Sequence, residues 1–528
     1  MEGQGTLAAA SLRRSFTYQH VFVFVLTFFS YALLHASRKT FSNVKSTMIS
    51  TWTPENLNQS DIFDNETWNG HTMFHSHFAA EAFLGVLDAV FMSCYAIVST
   101  PQWGKVVYSR LNDCKGLFIS GMLGDRYDPR IVLSVGMWGS AVMIFLFGTL
   151  TEWTQFYSTE FYVFVWMLNG FIQSAGWPAE VCIMANWFGH GGRGFVLGLW
   201  AACASVGNII GSELCSSVLP YGYENAFLVN ATFLFCGGFF VYYCLVSSPV
   251  EVGLPEPLEE VDVVRKDDDD DEEELLNQTS SALAAAPKNP ILLKQAVLLP
   301  GVIPVSSVQY RKVAYSNDLF QYSLAFACLK LVNYSFFFWL PFYLTNNFGW
   351  PEYIADHIST WYDWGGICGG VLGGIVSDWI GKRTPVVVAQ LIFGVIALSV
   401  YSKSPNDRKI NSILMGVSGF FCSGAGNLIS AAVSADLGRQ KEVLGNAKAL
   451  STVTGIVDGS GSVGAAFGQL IIPVMEVKIG WMSVFYLFIL LVSCLLRIAE
   501  KTRVLFPFLP IDSKFNMLYL YLSDECIH

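Results

Sequence analysis

The residues of this chain best equipped for chemistry are charges set in stretches with almost no other polarity. Arg38 and Lys39 follow seventeen residues, His20 to Ala36, that carry no formal charge. Asp88, Glu180, Glu213, Lys330, Asp363, Lys448 and Asp458 also stand inside apolar runs. A charge held in hydrocarbon is costly, so each is a functional candidate. An arginine fork matches phosphate oxygens and a lysine supplies a point charge, so Arg38 and Lys330 point to anion binding. For Arg38 the alternatives are snorkelling to the interface or an ion pair with Asp88. Lys39 projects about 100° from Arg38 on a helix and is expected to pack against a neighbour. Glu180, Glu213 and Lys448 stand close enough to span ends to be interfacial. Asp88 and Asp363 are the candidates for coupling. No metal-ligand cluster, nucleophile–base pair or phosphate-cradling glycine loop is evident, so no metal, no cofactor and no enzymatic reaction are expected.

Such charges need helices to hold them. The chain has 528 residues, 53% hydrophobic and 14% charged, against about 25% charged in soluble domains. Apolar stretches of spanning length recur at 18–46, 79–98 continued by 117–123, 131–150, 161–188, 194–220 and 224–248, then at 317–345, 354–377, 385–402, 411–433, 443–475 and 480–499. The expectation is an all-α membrane protein of twelve spans, six on either side of a polar stretch, with the bilayer as its surroundings. Arg13 and Arg14 before the first span place the N-terminus in the cytosol. The boundaries that follow are a cytosolic tail at 1–17, a first half at 18–248, an acidic disordered cytosolic linker at 249–315, a second half at 316–499 and an atypical tail at 500–528. The loop at 47–78 is then luminal, and its Asn58 and Asn65 fit the glycosylation acceptor pattern. Much of the net charge of −11 lies in "DDDDDEEE" at 267–274, which reads as solvated linker and gives no reason to expect nucleic acid.

Two unrelated motifs repeat at nearly one offset. "GMLGDRYDPR" at 121–130 returns as "GIVSDWIGKR" at 374–383, an offset of 253. "SVGNIIG" at 205–211 returns as "SVGAAFG" at 462–468, an offset of 257. Agreement between the offsets implies duplicated six-helix halves. Gly121 and Gly374 are expected to let helices approach closely. Asp125, Arg126 and Asp378 are expected to form cytosolic latches that close in one conformation and release in another. The Gly-x3-Gly stretches of spans five and eleven suit tight helix contact. Parallel repeats of this kind form the twelve-helix major facilitator fold, with substrate near the midplane between two pseudo-symmetric halves.

The sequence resembles the organophosphate:phosphate antiporters of that superfamily, in the sugar-phosphate exchanger branch, solute carrier family thirty-seven. The resemblance rests on "SRKTFSNVK" (37–45), "GDR" (124–126), "NGFIQSAGWP" (169–178), "NWFG" (186–189), "SVGN" (205–208), "NYSFFFWLPFYL" (333–344), "SADLGR" (434–439) and "STVTGIVDGSGSVGAA" (451–466). It implies exchange of a phosphorylated sugar for inorganic phosphate by rocking of the halves, with Arg38 binding the phosphate. It also brings Asn333 and Tyr334 to the site, beside Lys330. Bacterial relatives carry a second span-seven arginine where this chain has Asn333, and a span-five histidine where it has Cys203 and Ala204. They also carry a span-two lysine that is absent here. The inserted segment at 99–116 and the lengthened approach at 305–321 depart from the family as well, as a divergent or alternatively spliced form would. Transport of another dianion, such as a phosphonate, and a scaffold without transport therefore stand as alternatives. "DEEELL" (Asp271, Leu275, Leu276) fits an acidic dileucine sorting signal and favours the endoplasmic reticulum or lysosome.

Overall fold

The computed structural model describes residues 17–53, 66–68, 73–99, 128–188, 196, 199–254, 317–380, 384–429 and 447–501. Asn58, Asn65, Gly121, Asp125, Arg126, Asp271, Leu275 and Leu276 lie outside these residues. So do nearly all of the stretches at 99–116 and 500–528. In the first half the helices are α1 (Tyr18–Asn43), α2 (Lys45–Trp52), α3 (His77–Ser99), α4 (Pro129–Ile144), α5 (Thr159–Gln173), α6 (Gly176–Phe188), α7 (Cys203–Val218) and α8 (Tyr223–Cys244). In the second half they are α9 (Asn317–Phe348), α10 (Glu352–Ile380), α11 (Thr384–Tyr401), α12 (Arg408–Leu428), α13 (Ala447–Ile479) and α14 (Trp481–Lys501).

Among the described residues, six helical stretches are long and apolar enough to cross a membrane: Tyr18–Asn43, His77–Ala96, Pro129–Thr154, Tyr223–Cys244, Ser323–Phe348 and Asp458–Ile479. The other expected spans are helices with a shorter, broken or less apolar sequence. Span four divides between α5 and α6, and α10 carries Glu352, Asp356 and Asp363 among its glycines. Span three runs from α4 through a π-helical turn at Phe145–Leu150 into a last turn at Thr151–Thr154. A short ribbon, β1 (Glu66–Trp68) against β2 (Phe156–Ser158), joins the loop after span one to the loop after span three, with Thr67 opposite Tyr157.

Span one corrects an expectation. Neither proline nor glycine occurs in it, yet the helix breaks at Val44, where φ is −102° and ψ is 6°. The cause comes from the other half of the protein. Glu352 accepts from the backbone N–H groups of Ser46 at 2.9 Å and Thr47 at 3.2 Å, and from the Thr47 hydroxyl. A carboxylate at a helix N-terminus satisfies amides that otherwise have no partner, so α2 begins anew there.

Packing repeats between the halves. α1 packs on α7 and α9 on α13; α3 on α5 and α10 on α12; α4 on α8 and α11 on α14. Each second pair is the first moved on by six spans. The most extensive contacts between halves, α3 with α13 and α7 with α10, are images of each other under the same shift. Small residues allow the close approaches: a Cβ at Gly207 would lie 2.2 Å from the Ala32 carbonyl oxygen, and one at Gly464 2.4 Å from that of Ala327. Neither backbone can yield without separating two helices, and overpacking of this kind costs about 1–3 kcal/mol. Gly207→Val and Gly464→Val are thus expected to lower the melting temperature of detergent-purified protein by similar amounts; no change in either would remove the close-contact reading. Gly374 behaves otherwise. A Cβ there would meet nothing within 4 Å among the described residues, while at the preceding Gly373 it would lie 2.8 Å from Gln390 and Leu428. The close approach expected of Gly374 belongs to Gly373.

Candidate functional site: an arginine and a lysine facing across the halves

Arg38 stands five residues before the end of α1 and is enclosed by protein. It is 2% exposed. Its Nε donates to Gln173 Oε1, and its guanidinium carbon stands 4.9 Å from the Tyr95 ring centroid. Among the described residues, Nη2 is buried without a hydrogen-bond partner. Snorkelling and pairing with Asp88 are therefore both corrected. Asp88 instead accepts from Lys45 Nζ at 2.5 Å, both side chains being fully buried. Lys45 also stands 3.6 Å from the Trp339 ring centroid of the second half.

A polar network fixes the orientation of Gln173. Its Nε2 donates to Ser140 Oγ at 2.6 Å, and at 3.3 Å to Ser37 Oγ and Asn169 Oδ1. Ser140 Oγ in turn donates to Asn169 Oδ1 at 2.7 Å. With its amide nitrogen so engaged, the carboxamide must present oxygen to Arg38, which suits a cation.

Lys330 stands on α9 three residues before Asn333, the position that matches Arg38, and is 7% exposed. Nζ donates to Asp458 Oδ1 at 2.8 Å and to Ser462 Oγ at 2.9 Å, both on α13. Tyr95, from the first half, and Tyr334, from the second, lie within electrostatic reach of both Arg38 and Lys330, so the two cations share neighbours from both halves. The Tyr334 ring centroid is 5.3 Å from Lys330 Nζ. Asn333 faces elsewhere: Oδ1 accepts from the Tyr362 hydroxyl at 2.6 Å, and Nδ2 donates to the Cys422 carbonyl at 3.4 Å. Sequence reasoning singled out Arg38, Lys330 and Tyr334 but not Gln173, Tyr95 and Lys45, which touch Arg38 or Asp88. Gln173 stood inside the quoted "NGFIQSAGWP", and Lys45 at the end of "SRKTFSNVK".

The halves are joined along one seam. Lys39 Nζ donates to the Phe337 carbonyl at 2.6 Å, and Ser42 Oγ to the same carbonyl at 2.8 Å. Asn208 Nδ2 donates to Asp363 Oδ1 at 2.7 Å, while Asn208 Oδ1 lies 3.1 Å from His35 Nδ1. An imidazole thus meets span five from α1, although positions 203 and 204 hold none. Ser216 Oγ donates to the Tyr353 carbonyl at 2.8 Å, and Glu213 lies 2.7 Å from His357 Nδ1. With the Glu352 cap, these bonds use the C-terminal parts of α1, α7 and α9 and the N-terminal part of α10, all away from the end that carries the N-terminus. Glu180, expected near an interface, is fully buried and accepts from Ser30 Oγ at 2.7 Å. Hydrogen bonds to charged groups contribute about 1.5–3 kcal/mol. Glu352→Gln is therefore expected to raise deuterium uptake over residues 44–53 about tenfold in rate; unchanged uptake would show that the cap holds nothing closed.

A helical bundle of two equivalent halves, with cations facing one another between them, is the architecture of a membrane carrier. Residues 115–445 match the Major Facilitator Superfamily. The crystal structure of a D-xylose-proton symporter has the same fold, with a TM-score of 0.56 over 93% of this chain and 98% of that chain at 13% identity. At closer range, Sugar phosphate exchanger 3 of Xenopus laevis is 50% identical over 480 residues, 90% of each chain. Putative glycerol-3-phosphate transporter 5 of Arabidopsis thaliana is 35% identical over 492 residues, 90% of this chain and 89% of its own. The chain belongs to the major facilitator superfamily and, within it, to the sugar-phosphate exchanger family.

Proposed function

We propose that the protein exchanges a small phosphorylated organic anion for inorganic phosphate across an endomembrane by alternating access. One observation carries this reading: Arg38 is buried, clamped through Nε, and left with Nη2 unpartnered among the described residues at the border of the two halves. A fixed guanidinium edge with a spare donor is suited to phosphate oxygens. Lys330 and Tyr334 complete the site from the second half, with Asn333 behind them. The printed names of the relatives, a sugar phosphate exchanger and a putative glycerol-3-phosphate transporter, support the substrate class.

In this reading the bonded seam is the closed luminal gate, and Asp363 and Asp88 take part in its opening. Gly121, Asp125 and Arg126, with Asp378 near the end of α10, latch the cytosolic face when the gate opens. Asn58 and Asn65 carry glycans on the luminal side, and Asp271, Leu275 and Leu276 direct the protein to the endoplasmic reticulum or lysosome. A second reading, transport of another dianion such as a phosphonate without glucose 6-phosphate exchange, is favoured by the engagement of Lys330 with Asp458. Uptake into proteoliposomes holding the full chain tests both, across phosphate, hexose phosphates, glycerol 3-phosphate and a phosphonate. Internal phosphate is expected to accelerate uptake of at least one phosphate ester. Acceleration confined to the phosphonate would favour the second reading, and none for any anion would overturn both.

A further inference from the structure

A carboxylate bound to Lys330 is out of place at an anion site. Lys330 Nζ has three acceptors: Asp458 Oδ1 at 2.8 Å, Ser462 Oγ at 2.9 Å and the Asp458 carbonyl at 3.3 Å. An ammonium has three donors, so all are engaged, and every acceptor belongs to α13. Among the described residues, Arg38 Nη2 has no partner. The two cations are therefore not equivalent. Arg38 can receive an anion as it stands, whereas Lys330 can do so only by giving up an anion it already holds.

The geometry suits displacement. The Asp458 side chain is 21% exposed and that of Lys330 8%, so the carboxylate is on the more open side of the pair. Asp458 and Ser462 are four residues apart on one helix, so they share a face. Ser462 can keep hold of Lys330 after the carboxylate leaves. Tyr95, Tyr334 and His35 are within electrostatic reach of Lys330, and Tyr95 is also within reach of Asp458. A group held at Arg38 beside Tyr95 therefore lies next to the pair.

We propose that Asp458 is a displaceable internal counter-anion: it occupies Lys330 until the phosphate group captured by Arg38 replaces it, and so sets which anions are accepted. The inference rests on the exchanger reading above. Neutral sugars cannot displace a carboxylate from an ammonium, whereas a phosphate can. Asp458 also keeps binding shallow. With it, Arg38 and Lys330 present one net positive charge; without it they present two and hold the anion longer. Asp458 acts through Lys330 and is a positioning residue.

The test compares wild type, Asp458→Asn, Asp458→Glu, Lys330→Gln and the double variant Lys330→Gln/Asp458→Asn, each as the full chain in proteoliposomes. Inorganic phosphate is the probe, read as the KM and maximal rate of counterflow and as thermal stabilisation by phosphate. Asp458→Asn is expected to lower the KM about tenfold, equal to about 1.4 kcal/mol, and to slow the maximal rate, because release becomes the harder step. Asp458→Glu is expected to restore both. Folded Asp458→Asn protein with an unchanged or raised KM overturns the proposal. Should that variant not fold, the double variant decides. Near-wild-type transport would make the pair merely structural and overturn the proposal, while a KM as high as in Lys330→Gln supports it. Wild type without counterflow removes the exchanger reading alone. In that case, tighter phosphate stabilisation in Asp458→Asn (or, if it does not fold, phosphate stabilisation in the double variant as weak as in Lys330→Gln) still supports the counter-anion, and any other stabilisation result overturns it.

Discussion

Arg38→Ala is expected to remove phosphate-stimulated exchange, with the apparent affinity for phosphate falling at least about a hundredfold. Each charge-assisted hydrogen bond contributes about 1.5–3 kcal/mol, and every 1.4 kcal/mol is tenfold; a guanidinium edge offers two such bonds. Arg38→Lys keeps the charge but cannot both hold Gln173 and present a planar edge, so about a tenfold loss is expected for it. The alanine variant also leaves Gln173 Oε1 without its donor, which costs about 1–3 kcal/mol of stability. Counterflow should therefore be normalised to monodisperse protein. An Arg38→Ala protein that folds and exchanges phosphate like wild type would move the anion site elsewhere.

The second large effect concerns Asp88. Asp88→Ala is expected to collapse the yield of folded protein, not merely its coupling. It would leave the Lys45 ammonium fully buried with no carboxylate, and breaking a buried pair by removing one partner costs about 3–5 kcal/mol. Whole proteins are stable by only about 5–15 kcal/mol. The paired replacement Lys45→Met/Asp88→Leu removes both charges and is expected to restore folding, as buried pairs often tolerate apolar substitutes. Fluorescence-detected size exclusion gives the yield, and counterflow gives the rate. Should Asp88→Ala fold well and lose exchange, Asp88 serves gating alone and its structural role falls.

How much of this was legible depends on the distance over which each cause acts. The repeat offsets and the in-span charges are local, so the duplicated halves and Arg38 could be read directly. The break at Val44 could not, because Glu352 lies 306 residues beyond Ser46. Asp458 was visible as a buried charge, but its pairing with Lys330 spans 128 residues. Gly374 was mistaken for Gly373 by one position, which on a helix is about 100° and a different neighbour. Lys45 was passed over because it stands at the end of an apolar run, where a lysine is usually at the surface.

The network around Gln173 bears on the direction of transport. Ser37, Ser140, Asn169 and Gln173 come from α1, α4 and α5, all in the first half, and none of their bonds crosses the seam. Opening or closing the seam leaves that support intact, so Arg38 is held alike whichever compartment the site faces. A ligand shifts an equilibrium only by its difference in affinity for the two states, and this anchor contributes no difference. Arg38 then favours neither side, so a preference for one compartment must come from groups that change partners along the seam.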